Sequence, residues 1–187
     1  MQIPFFLFTF ANVNRKWRQK RNIMTMSVEL EAKREKYQLL TEQIRALIEG
    51  ETDIVSVMAN VCSAIHYAMG FFWTGFYRVN NGELVLGPFQ GPVACMHIGY
   101  GRGVCGTAWK EQRTIVVPDV EQFPGHIACS SLSRSEIVVP VFDQDGNVVA
   151  VLDIDSKELA TFDDTDRVFL EGICKMIPAP PCGLQEK

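Results

Sequence analysis

Between Gly87 and Gly106 the chain reads GPFQGPVACMHIGYGRGVCG, six glycines and two prolines in twenty residues. No helix interior tolerates that density, because glycine frees the backbone and proline removes a donor. The runs on either side carry bulky strand formers. The stretch is therefore expected to be a long excursion that leaves a sheet and crosses one of its faces. Excursions of this length in a compact domain are usually functional or disordered. Val93, Cys95 and Ile98, read as buried, argue for order.

The flanks fix the rest of the architecture. Ser27 is placed to cap a first helix whose stripe is Tyr37, Leu40, Ile44, Leu47 and Ile48, with Gly50 ending it. A second helix starts at Asp53, buries Ile54, Val57, Met58, Val61, Cys62 and Ile65, and ends at Gly70. Phe71–Val79 and Glu83–Phe89 read as a hairpin around Asn80–Gly82. Val104–Gln112 is predicted as a short helix and Thr114–Val117 as a strand. Glu136–Phe142 and Asn147–Ser156 form a second hairpin around Asp143-Gln-Asp-Gly146. A last helix runs from Asp163 to Ile177, where Pro178 stops it. This order predicts an α+β fold: a central antiparallel sheet backed by N- and C-terminal helices, with long loops over the other face.

The chain of 187 residues favours one domain. Residues 1–26 are set apart as a leader outside the fold, 27–177 as the domain, and 178–187 as a tail containing Cys182. The leader's apolar IPFFLFTF is too short for a membrane span and precedes its basic residues, the reverse of a secretory signal. Of the net charge of −4, residues 1–28 contribute +5 and the remainder −9. That acidic body argues against nucleic acid as a partner, and no apolar run points to a membrane. Six cysteines at irregular spacing do not make a secreted disulfide scaffold. A reducing, cytoplasmic setting is expected, with mitochondrial targeting by the basic leader left open.

Side chains two apart on a strand share a face. Trp73, Gly75 and Tyr77 therefore point one way, and Gly75 leaves a gap where a ligand can lie against the backbone. On the last strand Val149, Val151, Asp153 and Asp155 share a face. Glu136 opens the neighbouring strand, just after the small-residue loop that carries Cys129. Cys95 lies in the long excursion. Cys105 falls in the first turn of the short helix, where the helix dipole is expected to favour its thiolate. Cys62 is read as core packing, and His97 and His126 as loop hydrogen-bonding residues. Three acids in a partly closed pocket repel one another, so at least one is expected to hold a proton near neutral pH. Such a pocket grips an ammonium, and a neutral acid in it can donate a proton to an oxygen that leaves as water. A nearby thiolate supplies the nucleophile. Which cysteine attacks stays open on this reading.

NGELVLGPFQGPVACMHIGYGRGVCGTAW, VPDVEQFPGHIACSSLSRSEIVVP and VLDIDS resemble the free methionine-(R)-sulfoxide reductases, single GAF-domain enzymes. The likeness spans roughly residues 35–177 and includes cysteines spaced C-x9-C-x23-C. It implies reduction of free L-methionine-(R)-S-oxide through a cysteine sulfenic acid and an intramolecular disulfide, with thioredoxin as reductant and no cofactor. By the same resemblance Cys129 matches the attacking cysteine and Cys95 a resolving one. Cys105 matches a third that resolves or competes. Trp73 and Tyr77 match residues enclosing the methyl and thioether, and Glu136, Asp153 and Asp155 match acids that bind the polar groups. Ser130 departs from the family's aspartate, removing a charge beside Cys129 and easing thiolate formation. A homodimer is compatible with this reading, although the early Pro178 would weaken its packing.

Two rival readings remain at this level. One is a GAF-type sensor that binds a small molecule without turnover. The other is a metal site of Cys95, His97, Cys105, His126 and Cys129, weakened by the lack of any C-x2-C pair, so that no metal is expected.

Overall fold

In the computed structural model, residues 5–127 and 129–178 are described, with side chains at Trp17, Arg21 and from Met24 onward. The first four residues of the leader, and residues 179–187 of the tail with Cys182, lie outside the described residues. The chain divides into two units, Met1–Tyr37 and Gln38–Lys187. Among the described residues no helix is long and apolar enough to cross a membrane.

Helix α1 spans Phe5–Ile48, so it does not begin at a Ser27 cap. Ser27 Oγ instead donates to the Met24 carbonyl at 2.8 Å, as an interior helical serine does. The physical reason is the lack of a break: no glycine or proline occurs between Pro4 and Gly50. From Met24 to Ala32 every side chain is exposed; burial starts at Tyr37 and continues through Leu40, Ile44 and Ile48.

The second unit holds the remaining elements. Helix α2 (Ile54–Met69) opens on Asp53, whose carboxylate accepts the Ser56 N–H, and closes at Gly70 in the left-handed region. Strands β1 (Trp73–Asn80) and β2 (Glu83–Gln90) form the first hairpin. Its turn uses positive φ at both Asn81 and Gly82, as a tight twisted hairpin requires. Within the excursion a short strand, β3 (His97–Gly99), pairs antiparallel with β2. Then come helix α3 (Gly103–Glu111), strand β4 (Ile115–Val117), a 3₁₀ turn at Val120–Gln122, the hairpin of β5 (Ser135–Phe142) and β6 (Val148–Ser156), and helix α4 (Asp164–Cys174). Helix α4 starts on a reciprocal Asp163–Asp166 capping box. It stops three residues short of Ile177, since the residue before Pro178 is steered out of helical geometry.

The six strands form one antiparallel sheet in the order β3-β2-β1-β6-β5-β4. Helix α2 lies on β1 and β2, and α4 on β5; α3 approaches β5 and β6. Phe76, Ile137, Leu152 and Ile154 are fully buried, as are Val61, Cys62 and Leu170 of the helices. Cys62 is core packing as expected, with its thiol donating to the Thr74 carbonyl at 2.7 Å. Burial pushes that thiol up to about 12. The α+β reading holds. The expected burial of Val93 does not: it is 85% exposed on the loop between β2 and β3.

Candidate functional site

Sheet register assembles the acids. Trp73 pairs with Asp155, and Asp155 with Glu136, so these three stand side by side across β1, β6 and β5. Two residues further along β6, on the same face, Asp153 lies between Gly75 and Val138. The next row on this face carries Tyr77 and Val151. One sheet face therefore presents two aromatics and three carboxyls. Helix α3 closes over it with Val104 and Cys105, and the Cys129 loop adds His126, Ile127 and Ser133. The resulting pocket encloses about 530 Å³, part of it open to solvent.

The gap expected at Gly75 is absent as a ligand space. A Cβ there would meet Trp73 Cζ3 at 2.6 Å and Phe89 Cβ at 2.7 Å. Glycine is needed so that the indole can lie over its own strand, stacked between Tyr77 at 6.0 Å and Phe89 at 5.6 Å between ring centroids. Both aromatic tips reach the excursion. Trp73 Nε1 donates to the Pro92 carbonyl at 3.0 Å, and the Tyr77 hydroxyl to the Cys95 carbonyl at 3.1 Å. The two rings thus anchor the loop that bears Cys95. Burial, then Asp153, hold the Tyr77 hydroxyl well above its usual range, so it stays a neutral donor.

Cys95 and Cys129 form a disulfide, with Cα atoms 5.4 Å apart and a sequence separation of 34. Cys129 is exposed, whereas Cys105 is a free buried thiol whose Sγ lies 4.0 Å from Glu136 Oε1. The helix-dipole expectation for Cys105 fails. Its thiol is pushed well above the ordinary range, first by burial and then by Asp153 and Glu136. A helix terminus contributes about 0.3–1 kcal/mol, too little to offset burial beside carboxylates.

The acids behave as expected. Glu136 and Asp153 are both held well above the usual carboxyl range by burial, then by neighbouring acids. Asp155 is raised to about 6 by burial, moderated by a hydrogen bond from Ser133. Asp153 Oδ1 is buried with no hydrogen-bond partner. A buried acceptor left empty costs stability and marks the place where a donor belongs. A protonated acid beside an unpaired carboxylate oxygen suits a ligand that brings an ammonium and an oxygen in need of a proton.

The sequence marks His126 as a loop hydrogen-bonding residue or, in the rival reading, a metal ligand; its Nε2 stands 3.8 Å from Glu136 Oε2 inside the pocket. Burial lowers its basicity. Ser133 and Arg102 also line the pocket, and sequence reasoning misses both. Neither sits in a periodic stretch, so no pattern points to them. The five-residue metal set does not assemble. Cys95 and Cys129 are bonded to each other, and His97 faces Glu83 at 3.0 Å on exposed β3. Ser130 lines the pocket, and its Oγ accepts the Leu132 N–H.

The chain matches the GAF domain family over residues 51–177. It is 44% identical over 139 residues to the free methionine-R-sulfoxide reductase of Saccharomyces cerevisiae, covering 70% of this chain and 77% of that protein. It is 42% identical to the protein of the same name from Escherichia coli, covering 72% and 81%. The structure of the free methionine-R-sulfoxide reductase from Neisseria meningitidis in complex with its substrate superposes with a TM-score of 0.74 at 52% identity, covering 75% of this chain and 85% of that one.

Proposed function

The chain belongs to the GAF-domain family of free methionine-R-sulfoxide reductases, and on that premise we propose that it reduces free L-methionine-(R)-S-oxide to L-methionine, with Cys129 attacking and Cys95 resolving. The observation that carries this reading is the disulfide joining Cys95 to Cys129, a residue that lines the acid-bearing pocket. The substrate's ammonium is set against Asp153 Oδ1 and Asp155, and Arg102 is placed to receive its carboxylate. The thioether and methyl lie along Trp73 and Tyr77, apolar surfaces of the right kind.

In the reduced enzyme the Cys129 thiolate attacks the sulfoxide sulfur. Glu136, kept protonated by burial and then by the neighbouring acids, donates to the sulfoxide oxygen as the sulfur–oxygen bond breaks. The protonated oxygen passes from the substrate sulfur to the Cys129 sulfur as the sulfur–sulfur bond made in the attack breaks, so that methionine leaves as the thioether and Cys129 is left as a sulfenic acid. The Cys95 thiol then attacks Cys129 sulfur, the oxygen departs as water, and the disulfide closes. A dithiol such as thioredoxin returns two electrons and two protons through the exposed Cys129 side. The buried Cys105 thiol stands one step back, within reach of Glu136.

Single-turnover release of methionine from pre-reduced enzyme tests the assignment. Cys129→Ser is expected to release none. Cys95→Ser should release a single equivalent and accumulate a trappable sulfenic acid. Cys105→Ser should release its equivalent and still form the disulfide. A full equivalent from Cys129→Ser would overturn the attacking role. Tight binding of the sulfoxide by wild-type enzyme with no methionine formed would favour a sensor.

A further inference from the structure

Cys105 Sγ, a Glu136 oxygen and an Asp153 oxygen lie within 4.8 Å of one another, all three residues buried. Among the described residues, no lysine or arginine forms an ion pair with Glu136, Asp153 or Asp155; the basic group recorded beside them is His126, 3.8 Å from Glu136. Asp153, 7% exposed, keeps Oδ1 buried without a hydrogen-bond partner. A thiol and two carboxyls therefore converge, with the His126 imidazole at the edge of the group, against Glu136. The set differs from the five-residue combination suggested by the loop sequences, and only the fold brings it together.

We propose that this cluster is a binding site for a thiophilic divalent cation of the zinc class, held by Cys105, Glu136 and Asp153 with the fourth position left to water. Zinc takes sulfur at about 2.3 Å and oxygen or nitrogen at about 2.0–2.2 Å in a tetrahedron. Its ligand atoms then sit about 3.5 Å apart, so the present triangle needs to contract by roughly an ångström. That is within the reach of side-chain adjustment, because Cys105 sits on α3 and the two acids on β5 and β6 face it directly. A thiolate donor excludes magnesium and calcium, which prefer all-oxygen shells. The cation would occupy the place assigned above to the substrate's ammonium. That consequence, competition with methionine sulfoxide, rests on the proposed function; the binding itself does not.

The test uses full-length, metal-free protein with Cys95–Cys129 oxidised, so that neither of those sulfurs can ligate. Cys62→Ser, Cys174→Ser and Cys182→Ser are combined to leave Cys105 as the sole thiol, and cadmium is titrated as the spectroscopic probe. One equivalent is expected, with a thiolate-to-cadmium charge-transfer band, and zinc should displace it while magnesium should not. Asp153→Asn in that background is expected to weaken cadmium at least about 100-fold. If the triple variant is not folded, the same titration on wild-type protein with and without Cys105→Ser decides the point. Absence of the band, or a band indifferent to both Cys105→Ser and Asp153→Asn, overturns the site. Zinc bound through Cys105 that leaves the KM for methionine sulfoxide unchanged overturns the shared position while the turnover reading stands. Conversely, a protein without turnover that binds cadmium through Cys105 retains the metal site and loses the enzymatic reading.

Discussion

Asp155 is a carboxyl that folding makes harder to ionise, its pKa raised from 3.8 to about 6. The folded state therefore binds the proton more tightly than the unfolded chain does. The stability linked to this group is full below about pH 4 and is lost as pH rises through about 6. Two pKa units correspond to roughly 3 kcal/mol, an upper figure because Asp155, Asp153 and Glu136 titrate together. Denaturant midpoints of the wild type are expected to fall between about pH 4 and 6, and Asp155→Asn should flatten that slope while raising stability at pH 8. An unchanged slope in the variant would assign the loss to other groups. The shared face of Asp153 and Asp155 was legible because strand periodicity is two. The sequence groups Glu136 with them too, and the β5–β6 register supplies the reason, setting it opposite Asp155; the approach of His126 to Glu136 was not legible, because it comes from an aperiodic loop. The thiol at Cys105 misled for a different reason. Its position in a first helical turn is visible in the sequence, but its burial against two acids is a tertiary fact that outweighs the dipole.

At the scale of elements, helix α3 decides where Cys105 points, and Gly106 decides where α3 sits. The Gly101 N–H donates to the Gly106 carbonyl at 2.9 Å, and the Gly106 N–H to the Arg102 carbonyl at 3.0 Å. A Cβ on Gly106 would collide with the Gly99 carbonyl oxygen and come within 3.1 Å of Gly101 N. Those neighbours are backbone and cannot swing aside, so Gly106→Ala must shift the β3–α3 turn. Overpacking of this kind costs about 1–3 kcal/mol. Gly106→Ala is expected to lower the denaturation midpoint accordingly and to reduce kcat/KM by roughly tenfold or more, since a small displacement of positioned groups is costly in rate. A variant with wild-type kinetics would show that α3 need not be seated so closely. The hairpins and helix α4 were readable because Asn81-Gly82, Asp145-Gly146 and the Asp163–Asp166 box carry local turn and cap chemistry. Strand β3 was not, being three residues long with His97 and Gly99 both exposed. The adjacency of β1 and β6 was equally hidden, as pairing between distant segments leaves no local signature.

For the whole molecule the question is where the folded unit begins. The family match starts at residue 51, the expected domain at 27, and the second unit at Gln38. Burial separates these choices. Leu40, Ile44 and Ile48 are 2%, 0% and 9% exposed, one stripe on the C-terminal part of α1. Each buried aliphatic side chain contributes about 1.5–3 kcal/mol, against a total stability of about 5–15 kcal/mol for a domain of ordinary size. Losing three of them would consume most of that margin. Residues Met24–Ala32, in contrast, expose every side chain. A protein beginning at Ser27 is therefore expected to keep its kcat/KM and its unfolding free energy within about 0.5 kcal/mol. One beginning at Glu51 should be unfolded or aggregated at room temperature, although it retains the whole family match and every residue of the pocket. Circular dichroism and denaturant titration of the two truncations separate the alternatives. A cooperative, active chain from Glu51 would mean that the α1 stripe adds little to the domain, and a loss of activity on removing residues 1–26 would give the leader a role in the reaction.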